Sequence, residues 1–175
     1  MNLLRRLATL ALLLLAAGCS TIDRAPAAAL ERNARWAVLP LANHTETPGA
    51  GQRAAAVVEG VLAARRVGEL QRAPAGLGAE SLFESAEGLA QQQDKALAWA
   101  RSSGARYALS GSVTEWRYKV GVDGEPAVGL TLQVIDLPTG RVVWSATGAR
   151  SGWSREALSA VAQKLVRDLT APLAP

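Results

Sequence analysis

The spacing of apolar residues changes along this chain, and this change restricts the possible folds more than any other feature. Ahead of Gly104 and after Ser154, long segments repeat their apolar residues every three to four positions, which is typical of amphipathic helices. Between residues 106 and 147 apolar and polar residues alternate instead, as Leu130 and Leu132 do around Thr131. Alternation indicates strands with one buried face. The sequence therefore predicts an antiparallel meander of three strands, with helices on both sides of it along the chain.

The part of the chain before the meander is predicted to begin with a strand and a helix. Residues 36–41 have the composition of a short buried strand, and Pro40 indicates an edge strand or the end of a strand. A helix is expected over residues 48–66, because Thr47 is a suitable N-cap and Pro48 a suitable first residue.

Further elements complete a mixed α/β pattern. A second strand is expected at residues 69–72, and a helix, in one or two pieces, over residues 80–103. The last helix is expected to follow Ser154 as its N-cap and to carry an apolar stripe as far as Leu169. The order β-α-β-α-β-β-β-α predicts an α/β (α+β) fold, in which helices pack on a mixed sheet.

The N-terminal stretch has the pattern of an export signal. Arg5 and Arg6 precede an apolar run of eleven residues, which is too short for a bilayer core that needs about 20. The following Ala-Ala-Gly-Cys resembles a bacterial lipobox, which implies cleavage before Cys19 and attachment of diacylglycerol and an N-acyl chain to it. The alternative is a plain signal peptide with an unrelated cysteine. Several acyl chains anchor a protein stably, and Ser20, where Asp would signal retention, favours the outer membrane.

One domain is expected behind the anchor. Removal of the signal peptide, residues 1–18, leaves 157 residues, which are enough to bury a core. Residues 19–35 are expected to be a lipid-anchored tether, and residues 36–175 a single periplasmic α/β domain. The formal charge falls from +4 to +2 because Arg5 and Arg6 leave with the signal. No basic cluster indicates a nucleic-acid partner.

The sequence lacks the residue patterns of catalysis and metal binding. Its one histidine, His44, lies in a predicted polar loop, and its one cysteine, Cys19, is the expected lipidation site. No Cys/His set for zinc, nucleophile elbow, phosphate-binding loop or dinucleotide fingerprint occurs. We therefore expect no enzymatic activity and no cofactor other than the covalent lipid.

Three stretches carry a resemblance to a known family. They are residues 36–51, with the run Asn-x-Thr-Glu-Thr-Pro-x-Ala-Gly, the pattern Asp-x-x-Thr-Gly-x-x-x-Trp that begins at residue 136, and Ser-Gly-Trp-Ser-Arg at residues 151–155. Together they resemble the PelC family of Pel exopolysaccharide export lipoproteins. That family has a fold similar to the N-terminal domain of TolB.

The resemblance implies a homo-oligomeric ring, a dodecamer, on the inner leaflet of the outer membrane. Such a ring guides a cationic, partly deacetylated amino-sugar polymer to the outer-membrane porin PelB. Trp153 is implied to contact the membrane, and a tryptophan suits an interface because it is apolar with one N–H donor. The alternative is that Trp153 and Leu158 form a hydrophobic staple around Ser154.

Acidic residues are the candidates for binding the polymer. A cationic polymer would be attracted by acidic walls, and Asp123 and Glu125 in the hairpin loop and Asp136 at a turn could supply them. The alternative is that these are ordinary solvated turn residues.

Three other functions compete with export. An activator of a peptidoglycan synthase would share the fold, but it needs a long disordered linker to reach the inner membrane, and the tether has about sixteen residues. A curli-like secretion pore would need a spare strand-forming segment for a membrane barrel. A hydrolase is the least supported.

Overall fold

The computed structural model describes residues 20–26, 30–31, 33–74, 76–77, 86–120 and 124–173. In this part of the chain the helices are α1 (Ala50–Ala64), α2 (Ala86–Ser102) and α3 (Leu158–Leu169), with a final 3-10 turn, Ala171–Leu173. The strands are β1 (Ser20–Arg24), β2 (Arg35–Val38), β3 (Ala42–Asn43), β4 (Glu69–Arg72), β5 (Tyr107–Tyr118), β6 (Pro126–Asp136) and β7 (Arg141–Ser151).

The strands form one mixed sheet in the order β1-β7-β6-β5-β2-β4, and β3 also pairs with β5. Strand β2 is parallel to both β4 and β5, whereas β5, β6 and β7 form the expected antiparallel meander. Parallel neighbours need long crossover connections, and α1 and α2 lie in those connections. The predicted fold class is confirmed.

Helices cover both faces of the sheet. On one face α1 and α3 enclose the larger core, in which Leu130 and Leu132 of β6 and Leu165 of α3 are fully buried. On the other face α2 packs Ala96 and Ala100 into a smaller core. The alternation along β6 explains the larger core, because every second side chain of a strand points to the same face.

Residues 20–24 form a strand that the sequence pattern did not indicate, because it placed them in the tether. They pair antiparallel with β7, where Ile22 lies opposite Gly148 and packs against the larger core. A Cβ at residue 148 would lie 2.7 Å from the carbonyl oxygen of Thr21 and 3.2 Å from a methyl group of Leu169. Glycine at this position therefore leaves room for β1 beside α3.

The chain after β1 also stays on the domain. Ala25 donates its N–H to the Ser145 carbonyl at 2.9 Å, and its own carbonyl accepts the Trp144 indole N–H at 3.2 Å. Farther along, the Glu31 N–H donates to the Tyr107 hydroxyl at 3.2 Å. The described parts of the predicted tether therefore belong to the folded domain.

The start of α1 differs from the prediction. The helix begins at Ala50, and its N-cap is Gly49, at φ 70°, without a side-chain hydrogen bond. Thr47, the expected cap, instead donates its hydroxyl to the Trp116 carbonyl at 2.6 Å. The Thr47 hydroxyl, which the local sequence predicts as the helix cap, thus bonds to a distant strand instead. The expected start of α2 at residue 80 lies outside the described residues.

Candidate functional site

The first described residue, Ser20, lies at one end of the sheet. Cys19, the expected lipid anchor, lies outside the described residues. Ser20 pairs with Arg150 near the end of β7. The N-terminal end of the domain therefore lies beside residues 152–157, which join β7 to α3.

Trp153 lies in this connection and is 64% exposed. The alternative for Trp153, a hydrophobic staple around Ser154, does not form, because α3 begins only at Leu158, and Ala157 rather than Ser154 is its N-cap. The prediction of Ser154 as the cap is therefore wrong. An indole open to solvent on a folded domain is a feature of interfaces, since it combines a large apolar surface with one donor.

Hydrogen bonds hold the backbone that carries this indole. The Trp153 N–H donates to Glu156 Oε2 at 3.2 Å, and the Glu156 N–H donates back to the Trp153 carbonyl at 3.0 Å. The Lys164 Nζ lies 2.6 Å from Glu156 Oε1. This hydrogen bond is the main cause that lowers the pKa of Glu156 below its ordinary 4.5, and the Trp153 N–H adds to it. Trp153 is thus presented on a fixed loop.

The end of the β5–β6 hairpin is bonded to the same loop. The Tyr118 hydroxyl accepts the Leu158 N–H at 3.1 Å and donates to the Glu156 carbonyl at 3.4 Å. Lys119 Nζ donates to Ser151 Oγ at 2.7 Å. Sequence reasoning predicted the hairpin but did not single out these side chains. The available signal was the pair Tyr118 and Val120, an aromatic and an aliphatic residue beside a turn, where polar residues are usual.

The acidic candidates do not lie together. Glu125 is exposed at the end of the sheet that carries Trp153, and its carbonyl accepts the Lys119 N–H at 2.7 Å. Asp136 is the last residue of β6, the strand that follows Glu125, and lies about 36 Å away at the rise of an extended chain. Asp123 lies outside the described residues. Glu125 therefore lies at the same end of the sheet as Trp153, and Asp136 lies at the opposite end.

Asp136 is not the open acidic side chain that was expected. It is 5% exposed, its Oδ2 accepts the Thr139 hydroxyl at 2.6 Å, and its carbonyl accepts the Gly140 N–H at 2.8 Å. Arg106 Nη1 lies 3.2 Å from its Oδ1. The Asp-x-x-Thr-Gly pattern therefore describes the internal hydrogen bonding of a turn, and this carboxylate has little surface for a ligand.

The Asn-x-Thr-Glu-Thr run forms an ordered loop after β3. Asn43 Oδ1 accepts both the N–H and the hydroxyl of Thr45, at 3.0 and 2.7 Å. Residues 44–47 line a polar groove of about 630 Å³ together with residues 114–117 of β5. His44 is exposed here.

The described residues contain neither a metal-binding cluster nor a membrane-spanning helix. In this part of the chain no three His, Cys, Asp or Glu side chains are grouped so that they could hold a metal ion. None of the helices described is both long and apolar enough to cross a membrane.

Solved structures similar to this chain include a PelC dodecamer from Paraburkholderia phytofirmans. It is 45% identical, with a TM-score of 0.74 and an alignment that covers 89% of this chain and 98% of that one. A single-residue variant of the same dodecamer gives 45% identity, a TM-score of 0.75 and coverages of 89% and 99%. Lipoprotein GNA1162 from Neisseria meningitidis, at 18% identity, TM-score 0.56 and coverages of 79% and 96%, shares the fold alone.

Sequence families give a second, shorter match. The family model for the peptidoglycan-synthase activator LpoB matches residues 72–149, which run from the end of β4 into β7. No curated protein matches the chain.

Proposed function

Because this chain belongs to the PelC family, we propose that it is a non-enzymatic lipoprotein that assembles into a periplasmic ring of twelve copies. The ring guides a cationic exopolysaccharide, Pel, to the outer-membrane porin PelB during export of the biofilm matrix. One observation carries the proposal: 45% identity to a PelC dodecamer across 98% of that chain. Identity of this level over nearly the whole of that chain favours a shared assembly as well as a shared fold.

In this proposal Cys19 anchors the ring to the inner leaflet of the outer membrane through its diacylglycerol and N-acyl chains. Pairing of Ser20 with Arg150 supports a membrane-facing position for this end of the domain. The exposed Trp153 stands on the same end and contacts the leaflet, where amphipathic aromatic rings are favoured.

The polymer is attracted by carboxylates repeated around the ring. Glu125 is exposed and contributes one such charge per copy, and Asp123 is proposed to add a second. Because identical charges recur in every copy, a few per subunit give the field of an acidic channel. Asp136 forms an ion pair with Arg106, so its charge contributes the least of the three carboxylates. Its contribution is the shape of its turn.

The native mass of the lipidated protein in mild detergent tests the assembly. We expect one discrete species of about twelve copies by light scattering, which then binds a partly deacetylated amino-sugar polymer such as chitosan. The fully acetylated polymer is the matched control, because it lacks the positive charge. A monomer at high protein concentration, with the lipid present on Cys19, would contradict the ring.

A second candidate function is activation of a peptidoglycan synthase, which the match of residues 72–149 favours. An outer-membrane activator must reach an enzyme of the inner membrane. Here Ser20 is already part of the sheet, so no free linker separates the expected anchor from the domain. This geometry favours a function at the outer membrane. Capture of a peptidoglycan synthase by the lipidated protein would favour activation of that synthase instead.

A further inference from the structure

A polar groove on the sheet has no role in the proposed function so far. Its volume of about 630 Å³ lies within the roughly 300–1,000 Å³ that ligand sites occupy. The loop of residues 44–47 forms one wall, and residues 114–117 of β5 form the other. Gly129 and Ala149, which pair across β6 and β7, line the floor between them. The groove therefore combines the Asn-x-Thr-Glu-Thr run with three strands that are distant in sequence.

Hydrogen bonds fix the loop wall before any ligand binds. The Asn43 amide donates to the Thr47 carbonyl at 2.9 Å, and the Thr47 N–H donates to the Thr45 hydroxyl at 3.2 Å. The Thr47 hydroxyl ties the loop to the Trp116 carbonyl of β5 at 2.6 Å. Glu46 lies between the two threonines and is exposed. Its carboxylate therefore stands on a preorganised backbone, which loses little freedom when a ligand binds.

A β-bulge shapes the opposite wall. The pairing of β5 with β6 shifts between Val113 and Glu115, which leaves Thr114 as the extra residue. Bulges re-aim side chains and are frequent beside functional sites. Here Thr114 is exposed, and both Thr114 and Glu115 line the groove. The bulge thus adds a hydroxyl and a carboxylate to one stretch of wall.

The charges of the groove leave one carboxylate open. Arg117 Nε lies 3.1 Å from Glu115 Oε1, so these two charges neutralise each other. Glu46 forms no ion pair with any residue that the structure describes. Two carboxylates against one guanidinium give the described lining a formal charge of −1, with His44 neutral. The groove is therefore suited to a ligand that carries a single positive charge.

We propose that this groove holds one 2-amino sugar unit of the exported polymer in its ammonium form. A sugar ring carries hydroxyl groups around its rim and C–H groups on its faces. One face lies on Gly129 and Ala149, and the ammonium donates to Glu46 in a charge-assisted hydrogen bond. The Thr114 hydroxyl and the free N–H groups of Arg117 bond to the ring hydroxyls.

This inference rests on the proposed function and deepens it, because it gives the polymer a short-range site on each copy. Glu125 attracts the polymer from a distance, and it precedes Gly129 by four residues, which span at most about 14 Å. A chain drawn to Glu125 thus reaches the groove within a few sugar units. Repetition of the groove around the ring provides equivalent sites between which the polymer moves.

Titration calorimetry with a glucosamine tetramer and its fully N-acetylated counterpart tests the site on the lipidated protein in mild detergent. Glu46→Gln should weaken binding of the glucosamine tetramer at least about ten-fold, because the amide keeps the shape but loses the charge. Binding of the N-acetylated tetramer should change little. Glu69→Gln is the matched control, because it removes an exposed carboxylate of β4 outside the groove, and it should change neither affinity.

A second variant tests the groove by shape and not by charge. Ala149 is exposed on β7, so Ala149→Phe should fill the floor without unfolding the domain. We expect it to remove most of the binding of the glucosamine tetramer, with a melting temperature near that of wild type. Retained binding in this folded variant would contradict a sugar ring on the floor.

The remaining outcomes separate the groove from the proposed function. Unchanged affinity in Glu46→Gln, or an equal loss in Glu69→Gln, would overturn the groove as the binding site. A smaller native mass of Glu46→Gln would show that a neighbouring copy occupies the groove, and would also overturn it. Binding of long chitosan but of neither tetramer by the wild-type ring would overturn the groove and leave the proposed function in place. A wild-type monomer that binds no polymer would refute the proposed function itself.

Discussion

Single residues fix the loop that presents Trp153. Gly152 is one of them, because a Cβ there would lie 2.4 Å from a methyl group of Val161 and 2.6 Å from Glu156 Oε2. Val161 is fully buried in α3, so no larger side chain fits without moving the helix. Glu156 is the other, since its carboxylate accepts from both the Trp153 N–H and Lys164. The position of the exposed indole therefore depends on the close packing at Gly152 and on the charge of Glu156.

Glu156 should make the stability of the domain depend on pH. Its pKa is lowered in the folded protein by Lys164, by the Trp153 N–H and by the charge of Arg150. The folded state therefore favours the carboxylate, and the stabilisation is complete above about pH 4.5 and is lost as the pH falls through the lowered pKa. Glu156→Gln should lower the free energy of unfolding by about 1 kcal/mol or less at pH 7.

Thermal unfolding between pH 3 and pH 7 measures this effect. The difference in Tm between wild type and Glu156→Gln should shrink toward pH 3. Glu46→Gln is a matched control, because Glu46 is exposed in the loop after β3. A Glu156→Gln difference that is constant over the whole pH range would show that the substitution acts through packing and not through the charge.

Among the elements, β1 departs most from the prediction made from the sequence. It covers the edge of β7, and an open edge of this kind would offer its backbone groups to other chains. The guanidinium of Arg24 also bonds to the Asp168 carbonyl of α3. The strand thus joins the N-terminal end to the last helix, and the expected anchor is attached to the sheet and not to a free linker.

Ile22→Asp should release β1 from the sheet. Ile22 packs against the larger core, and loss of this burial with a charge in its place should cost about 2–3 kcal/mol. Limited trypsin digestion should then cut after Arg24 at least several-fold faster. Thr21→Asp is the matched control, because Thr21 is exposed on the neighbouring position and should leave the cleavage rate near that of wild type. Equal rates in the two variants would mean that Ile22 does not hold the strand.

At the scale of the whole molecule, the two ends of the sheet differ in character. One end carries the N-terminal strand, the exposed Trp153 and the hairpin end, whereas the other carries Asp136 in its ion pair with Arg106. In the proposed function, a domain of this form would meet the membrane in one orientation only. Each copy in the proposed ring would then present the same end to the leaflet, which closed cyclic symmetry requires.

Exchange of residues 1–19 for a cleavable signal without a lipobox should separate anchoring from assembly. The Ser20-initiated protein should move from the membrane fraction to the soluble periplasmic fraction, because it lacks Cys19 and the acyl chains that anchor it in the proposed function. Its native mass should match that of the lipidated protein, since the sheet is complete from Ser20 onward. Ser20→Ala with the native signal is the control and should stay in the membrane fraction. A soluble monomer would instead make assembly depend on the membrane.

Local patterns in the sequence determined most of the elements and their order, with β1 and β3 as the exceptions. The alternation around Leu130 and the helical stripe that ends at Leu169 each act within a few residues, and the fold class follows from them. The resemblance to the PelC family also comes from the sequence alone, through stretches such as residues 36–51.

The tertiary structure decided what depends on distant parts of the chain. Strand β1 has only Ile22 as a large apolar residue, and it forms because β7 offers an open edge and Gly148 leaves space. Trp153 is exposed because α3 begins after Ala157, and Asp136 is buried because Arg106 and Thr139 reach it. Burial and edge pairing are set by long-range contacts, which no local pattern of residues records.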